Sequence, residues 1–176
     1  MPQKTIAEIY ADNDRVRSEL KSTVADISDE QASILPEGEK WTIAQIVEHI
    51  SIVEDGMGRV CNKLLRKAEA DGMRSDGNVT VSDHYIQKGA EIASIKVEAP
   101  ERVRPTGNVP IVESLEKLDY SRGRLDELLP LFETVDSASY TFPHPFFGEI
   151  SAAEWLTLIG EHEARHLEQI KRRLVL

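Results

Sequence analysis

The last stretch of the chain, residues 151–176, joins a helix-start signal to a long amphipathic repeat. Ser151 and Glu154 have the spacing of a capping box, in which each side chain accepts a hydrogen bond from the other residue's backbone N–H. From there, apolar and histidine positions recur every three or four residues, so they share one face of an α-helix. That face comprises Trp155, Ile159, His162, His166, Gln169 or Ile170, and Leu174.

His162 and His166 stand where this pattern would otherwise place leucine or isoleucine. Residues four apart lie one turn above each other on a helix, which brings both imidazoles within reach of one ion. The pair therefore predicts part of a metal site on the buried face of the final helix.

Earlier segments of the chain repeat the same helical spacing of apolar residues. The spacing predicts three more amphipathic helices, over residues 3–27, 43–71 and 109–133. Thr42 and Gln45 form another capping box at the start of the second helix. Four such helices predict an all-α fold, an antiparallel four-helix bundle, within a single domain covering residues 1–176.

Residues 72–110 lose the helical period and accumulate Gly, Ser, Asp, Asn and Pro. Apolar and polar residues alternate weakly near Val79 and over 95–99, which suggests short strands. No helix is predicted within residues 72–110. The segment is therefore interpreted as a long crossover connection between the second and third helices. Residues 139–148, rich in aromatic residues and prolines, are predicted to form a loop. His84 and His144 are predicted to be exposed loop histidines.

The charge and cysteine content exclude several classes of protein. Asp and Glu number 31 against 21 Lys and Arg, a formal charge of −10, so the chain would repel a nucleic-acid backbone. The single cysteine, Cys61, excludes an internal disulfide. No secretory signal and no apolar run long enough for a bilayer are visible. We expect a soluble, cytoplasmic protein with no nucleic-acid or membrane partner.

Polar residues interrupt two of the other apolar stripes. Asn13 lies on the first helix and Arg122 on the third. We interpret Asn13 as hydrogen-bonded within the bundle and Arg122 as paired with a carboxylate. The alternative is that both side chains line a ligand pocket.

A third histidine, His49, lies on or beside the buried stripe of the second helix. Together with His162 and His166 it would form a three-histidine site, which leaves at least one coordination position open for water or a substrate atom. Residues 162–166 also match H-E-x-x-H, but the chain has no downstream third ligand of the zinc-protease kind. Glu163 is a weak candidate for a general base, or for a group that accepts a hydrogen bond from a metal-binding histidine. An equal alternative is that Glu163 lies on the protein surface.

Two segments carry a resemblance to a known family. The stretch from Trp41 to Ile50, W-T-I-A-Q-I-V-E-H-I, and the stretches 148–156 and 162–170 resemble the DinB/YfiT-like family in order and placement. The resemblance implies a four-helix bundle, often a homodimer. It also implies a metal held by one histidine of the second helix and an H-x-x-x-H pair of the fourth, here His49, His162 and His166.

The resemblance further implies a metal-dependent activity on a small molecule. Relatives include transferases that attach low-molecular-weight thiols to electrophiles, a thiol-dependent isomerase and proteins described as hydrolases. We expect thiol transfer first, with hydrolysis at the same site or a non-catalytic metal- or ligand-binding module as alternatives. Zinc or nickel is the expected divalent ion, with iron or manganese as further candidates.

Overall fold

The computed structural model describes residues 4–95, 97–107 and 109–174 and consists mainly of α-helices. Four long helices form the bundle: α1 (Ile6–Val24), α3 (Ile43–Ala70), α5 (Ile111–Asp126) and α7 (Ala152–Leu174). The shorter elements are β1 (Lys4–Thr5), α2 (Asp29–Ala32), β2 (Asn78–Val79), α4 (Asp83–Ala93), a 3₁₀ turn (Glu101–Val103), α6 (Leu129–Thr134), β3 (Thr141–His144) and β4 (Gly148–Ser151). Helix α3 packs against both α5 and α7, and α1 packs against α7. The predicted four-helix bundle is confirmed.

The predicted capping boxes fix the starts of the helices. At α3, the Thr42 hydroxyl accepts from the Gln45 N–H, and the Gln45 side chain accepts from the Thr42 N–H. At α7, Glu154 accepts from the Ser151 N–H at 2.8 Å, and the Ser151 hydroxyl accepts from the Glu154 N–H at 3.4 Å. These bonds satisfy donors that a helix start would otherwise leave unpaired.

Contacts along the helices give their directions. Helices α3 and α7 run antiparallel, because His49 near the start of α3 lies beside His162, and Cys61 further along lies beside Ala152. Helices α3 and α5 run in the same direction. Asp55, in the middle of α3, pairs with Arg124 near the end of α5 at 3.7 Å, and the chain just before α5 contacts the first turns of α3. This arrangement requires the long crossover predicted between them.

The crossover is more ordered than the sequence indicated. The prediction that it contains no helix is wrong, because α4 lies within it. Helix α4 buries only Tyr85, although its apolar residues recur with a helical period, and the Ser82 hydroxyl caps it by accepting from the Tyr85 N–H at 3.1 Å. The strand expected near Val79 is present as β2, which pairs with β1. Residues 95 and 97–99 form no strand.

The predicted third helix is divided. Helix α5 ends at Asp126 and α6 follows, with Pro130 in its first turn. Proline has no N–H for the helical hydrogen bond and clashes with the preceding turn, so it separates the two segments.

The predicted aromatic loop over 139–148 is also more regular than expected. Strands β3 and β4 form an antiparallel hairpin in which Pro143 lies opposite Glu149. The hairpin runs along α3, where Lys63 lies over the ring of Phe142 at 4.6 Å. It leads directly into α7, so it fixes the position of that helix's first turn.

The interior of the bundle contains two apolar clusters separated by a polar layer. One cluster includes Ile9, Met57, Leu125 and Ile159, and the other includes Leu20, Ile50, Leu118 and Leu167. Each long helix places one buried charged residue between members of the two clusters: Arg17, Glu54, Arg122 and Glu163. No helix among the described residues has the length and apolar content needed to cross a membrane.

Candidate metal centre

Helices α3 and α7 bring three histidine rings together beside the polar layer. The ring centroids of His49 and His162 are 5.1 Å apart, those of His49 and His166 are 4.9 Å apart, and those of His162 and His166 are 4.6 Å apart. One ligand atom from each ring lies within 4.8 Å of the other two. The structure therefore assembles the three residues that the sequence singled out as candidate ligands.

The ring of His49 is oriented by a loop. Its Nδ1 lies 2.7 Å from the carbonyl oxygen of Val103. A carbonyl only accepts, so the proton must be on Nδ1, and Nε2 keeps its lone pair. The Trp41 ring packs against this imidazole at 4.8 Å between centroids. Backbone and packing therefore hold His49 in the tautomer that can bind an ion through Nε2.

His166 is oriented in the same manner by its own helix. Its Nδ1 lies 3.0 Å from Oε1 of Gln169, three residues further along α7. A side-chain amide oxygen accepts, so Nδ1 donates and Nε2 again keeps its lone pair. Two of the three rings thus carry the outer hydrogen bond that histidine ligands of metal sites normally make.

Burial keeps all three imidazoles in the neutral form. It lowers the pKa of His49, lowers that of His166 to about 4, and lowers that of His162 well below its usual value. For His162, the neighbouring His166 and His49 rings lower the pKa further. Metal ions bind neutral imidazole, so proton competition at pH 7 would be small.

A buried glutamate beside His49 anchors the loop that orients it. Glu48 is 2 % exposed and accepts from the Thr106 N–H at 2.8 Å and from the Thr106 hydroxyl at 2.7 Å. Its second oxygen accepts from the Gly107 N–H at 3.1 Å. Glu48 and His49 therefore hold the same loop segment, 103–107, from adjacent positions on α3. Sequence reasoning did not single out Glu48, because its partners lie more than 50 residues away.

Glu163, the weak candidate for a base, lies in the polar layer. It is fully buried, and its oxygens accept from Nε and Nη2 of Arg17 at 2.7 and 3.1 Å. The alternative of a surface glutamate is therefore wrong. Its position next to His162 rotates it about 100° around the helix. Action as a base would require its carboxylate to leave the pair with Arg17.

The two other predicted site residues, Asn13 and Arg122, form polar contacts with other residues of the bundle. Asn13 is buried and donates from Nδ2 to the carbonyl oxygen of Leu156 at 3.0 Å. Arg122 donates to Asp14 at 2.6 Å and lies 3.7 Å from Oε1 of Glu54. Both contacts agree with the preferred interpretation of these residues as internal polar pairs.

The prediction for the two remaining histidines is only partly right. His84 is exposed, but it lies on α4, where Nε2 donates to the carbonyl of Phe147 at 2.7 Å. His144 ends β3 and is half-buried, so its description as an exposed loop histidine is wrong. The aromatic residues around it are what bury it, and their convergence is a tertiary feature.

The donor set of the histidine cluster fits a divalent ion. Three neutral imidazoles that converge on one point match the ligand number of sites that keep a fourth position open. Nitrogen ligands of this type suit zinc, nickel and iron more than calcium or magnesium, which prefer oxygen. The cluster is compatible with a metal-binding role.

Comparisons with known proteins agree with this fold. The model of the DinB superfamily matches residues 13–170. The uncharacterized protein YuaE of Bacillus subtilis strain 168 is 25 % identical over 159 residues, which cover 88 % of this chain and 90 % of YuaE. The crystal structure of TT2238, a four-helix bundle protein, has 26 % identity and a TM-score of 0.63, covering 94 % of this chain and 98 % of TT2238.

Proposed function

Because the chain belongs to the DinB superfamily, we propose that it is a metal-dependent enzyme that joins a low-molecular-weight thiol to an electrophilic small molecule. The observation that carries the proposal is the convergence of ligand atoms from His49, His162 and His166 within 4.8 Å. Zinc and nickel are the preferred ions, with iron and manganese as alternatives.

The reaction requires a thiolate next to an electrophilic carbon. A divalent ion held by the three imidazoles would favour the thiolate form of a thiol at neutral pH. The sulfur then forms a bond to the carbon, the thiol proton passes to solvent, and the leaving group departs with its electron pair. Thiol and electrophile must both reach the open side of the cluster.

The protein's own contribution is orientation and control of water. Val103 and Gln169 hold the rings of His49 and His166 in the binding tautomer before any ion arrives. Preorganised ligands of this kind lose little freedom on binding. The loop segment 103–107 lies beside His49, so it limits the access of water to that side of the cluster.

Metal content gives the first test. We expect about one divalent ion per chain in the purified protein and less than a tenth of that in His162→Ala. The matched control is His84→Ala, which removes an exposed histidine outside the cluster and should leave the metal content unchanged. An equal, sub-stoichiometric metal content in the original protein, His162→Ala and His84→Ala would contradict the proposal.

Turnover gives the second test. The metal-loaded protein is mixed with an aryl chloride and either cysteine or glutathione, and thioether formation is followed by mass spectrometry. Product that depends on both thiol and metal supports transfer. Cleavage of an ester or amide without thiol would instead identify a hydrolase, and a loaded but inert protein would identify a binding module.

A further inference from the structure

Gly160 lies on α7, two residues before His162, at a point where the helix has no room for a side chain. A Cβ atom added to it would lie 2.1 Å from Oδ1 and 3.0 Å from Cγ of Asn13, on α1. Non-bonded carbon atoms pack best at about 3.5–4.0 Å, so both distances would be clashes. Glycine at this position therefore lets the Asn13 side chain lie directly against the backbone of α7.

The side chain of Asn13 cannot move aside freely. It is 2 % exposed, and its Nδ2 donates to the carbonyl oxygen of Leu156 at 3.0 Å. Turning the amide away from Gly160 would break this hydrogen bond and leave a buried donor without that partner, which is costly. Leu156 precedes Gly160 by four residues, so the amide of Asn13 spans one turn of α7.

A second contact between the same two helices follows one turn later. Arg17 donates from Nε and Nη2 to the carboxylate of Glu163 at 2.7 and 3.1 Å. An arginine side chain has many rotatable bonds, so this ion pair can follow a small rotation of α7. The short side chain of Asn13, packed against the backbone, cannot. The contact between Asn13 and Gly160 is therefore the stiffer of the two.

The face of α7 that contacts α1 differs from the face that carries the histidines. At about 100° per residue, positions 156, 160 and 163 lie within about 60° of one another around the helix axis. Positions 162 and 166 lie roughly 100° away from them. The contact with α1 thus sets how far α7 is rotated about its axis, and this rotation decides where His162 and His166 point.

A small rotation of α7 is large on the scale of a metal site. Side chains reach about 5–6 Å from a helix axis, so a rotation of about 20° moves their ends by about 2 Å. Distances between a metal and its ligands tolerate deviations of only about 0.2 Å. His49 would not follow the movement, because it lies on α3 and its ring is held by Val103. The three rings would then no longer converge on one point.

We propose that Asn13 and Gly160 are positioning residues for the three-histidine cluster, because their contact fixes the rotation of α7 and so aims its two histidines at the ion. This inference rests on the proposed function. Neither residue touches the ion or a substrate, and both act through the orientation of the ligands.

The first experiment adds a methyl group at the contact. In Gly160→Ala, α7 must rotate or shift away from Asn13. We expect cobalt(II) affinity, measured by competition with a chromophoric chelator, to fall about thirtyfold, and the visible absorption of the bound cobalt to change.

The matched control is Gly56→Ala, in the middle of α3, the helix that carries His49. Gly56 is exposed, and no atom of the described residues lies within 4 Å of the added carbon. Cobalt affinity in this variant should stay within about twofold of the original value. Both substitutions replace a helical glycine by alanine, so their difference reports the contact with α1.

A second substitution should rescue Gly160→Ala. Asn13→Ala deletes the two clashing atoms, and the next atom, Cα of residue 13, is 3.6 Å from the new carbon, an ordinary contact. We expect Asn13→Ala alone to lower cobalt affinity about threefold, because the bond to Leu156 is lost. The double variant should bind cobalt within about twofold of Asn13→Ala. Two independent destabilising changes would add, so rescue distinguishes positioning from a general loss of stability.

Three results would overturn the inference. The first is equal cobalt affinity and an equal cobalt spectrum in Gly160→Ala and the original protein. The second is a double variant that binds cobalt no better than Gly160→Ala. The third applies if Gly160→Ala does not fold, and is an equal cobalt affinity in Asn13→Ala and the original protein. Failure of the original protein to bind cobalt would overturn the proposed function instead.

The positioning can also be measured without any metal. Ring protons of His49 and His166 should show a nuclear Overhauser effect in the metal-free protein, because the ring centroids are 4.9 Å apart. The effect should weaken in Gly160→Ala, return in the double variant and persist in Gly56→Ala. An unchanged effect in folded Gly160→Ala would overturn the inference, even if the cluster takes up no cobalt.

Discussion

Two groups of polar residues lie inside the bundle, and they compensate their polar atoms in different ways. In the polar layer, Arg17 pairs with both Glu54 and Glu163, so opposite charges compensate each other. In the histidine cluster, His49 and His166 use their outer nitrogens and keep the inner ones unprotonated. The first group balances its charges within the chain, although Nη1 of Arg17, Oε1 of Glu54 and Nε and Nη2 of Arg122 have no hydrogen-bond partner among the described residues. The second has lone pairs that converge on one point.

The difference teaches how to separate a structural polar cluster from a binding site. Burying ionised groups is costly unless opposite charges are paired, so the charges of the layer must balance each other. Burying neutral imidazoles costs less, and a cation can supply the missing partner. The comparison predicts that changes in the layer affect folding, whereas changes in the cluster affect metal binding.

The largest expected effect is on stability. Arg17→Leu would leave the carboxylates of Glu54 and Glu163 buried without their main counter-ion, because Arg122 lies no closer to Glu54 than 3.7 Å. We expect the free energy of unfolding to fall by about 3–5 kcal/mol, measured by urea denaturation of the metal-free protein.

The matched control is Arg15→Leu. Arg15 is exposed, and its ion pair among the described residues is with Asp12, at 3.4 Å, so its loss should change the free energy of unfolding by less than about 0.5 kcal/mol. If Arg17→Leu were equally mild, the polar layer would not be the structural element described here.

An intermediate effect, on zinc affinity, is expected from weakening the loop that orients His49. Glu48→Gln weakens the anchoring of segment 103–107, because a neutral amide with one acceptor oxygen replaces a carboxylate that accepts three hydrogen bonds. Since Val103 orients His49, we expect zinc affinity to fall about tenfold, measured by competition with a chromophoric chelator.

The exposed Glu30, on α2, provides the control for this change. Glu30→Gln removes the same charge from a solvated position and should leave zinc affinity unaltered. Equal affinities in Glu48→Gln and the original protein would show that the loop does not position the cluster.

The smallest effect is a dependence of stability on pH. Desolvation lowers the pKa of the partly exposed His166 to about 4, below the usual value near 6.5, so the unfolded chain binds more protons between these values. Stability of the metal-free protein therefore decreases as pH falls from 6.5 towards 4. Allowing for the partial exposure of this ring, we expect a loss of about 1 kcal/mol between pH 7 and pH 5.

The contribution of His166 is isolated by comparison with His166→Gln. The raised pKa of Glu54 acts in the opposite direction, but it is present in both proteins and cancels in the difference. The variant should lose less stability than the original protein on acidification. Parallel pH profiles would mean that His166 is not buried in its neutral form.

The sequence alone predicted the features that depend on neighbouring residues. Helix periodicity and capping boxes are local, so the starts of α3 and α7 at Thr42 and Ser151 could be predicted directly. His162 and His166 could be placed on one face for the same reason. Two local features explain the errors. The short apolar period of α4 stands within a stretch rich in turn-forming residues, and the apolar stripe that continued past Asp126 concealed the break at Pro130.

Tertiary structure alone decided which distant groups meet. Four of these contacts join residues far apart in the chain. They are the approach of His49 to α7, the hydrogen bond from its ring to Val103, the pairing of Arg17 with Glu163 and the packing of His144 against Trp155. No local pattern encodes such contacts, because they follow from how the helices and their connections pack. The sequence by itself determined the helices and three candidate ligands, and the fold decided that these ligands meet and how their rings are oriented.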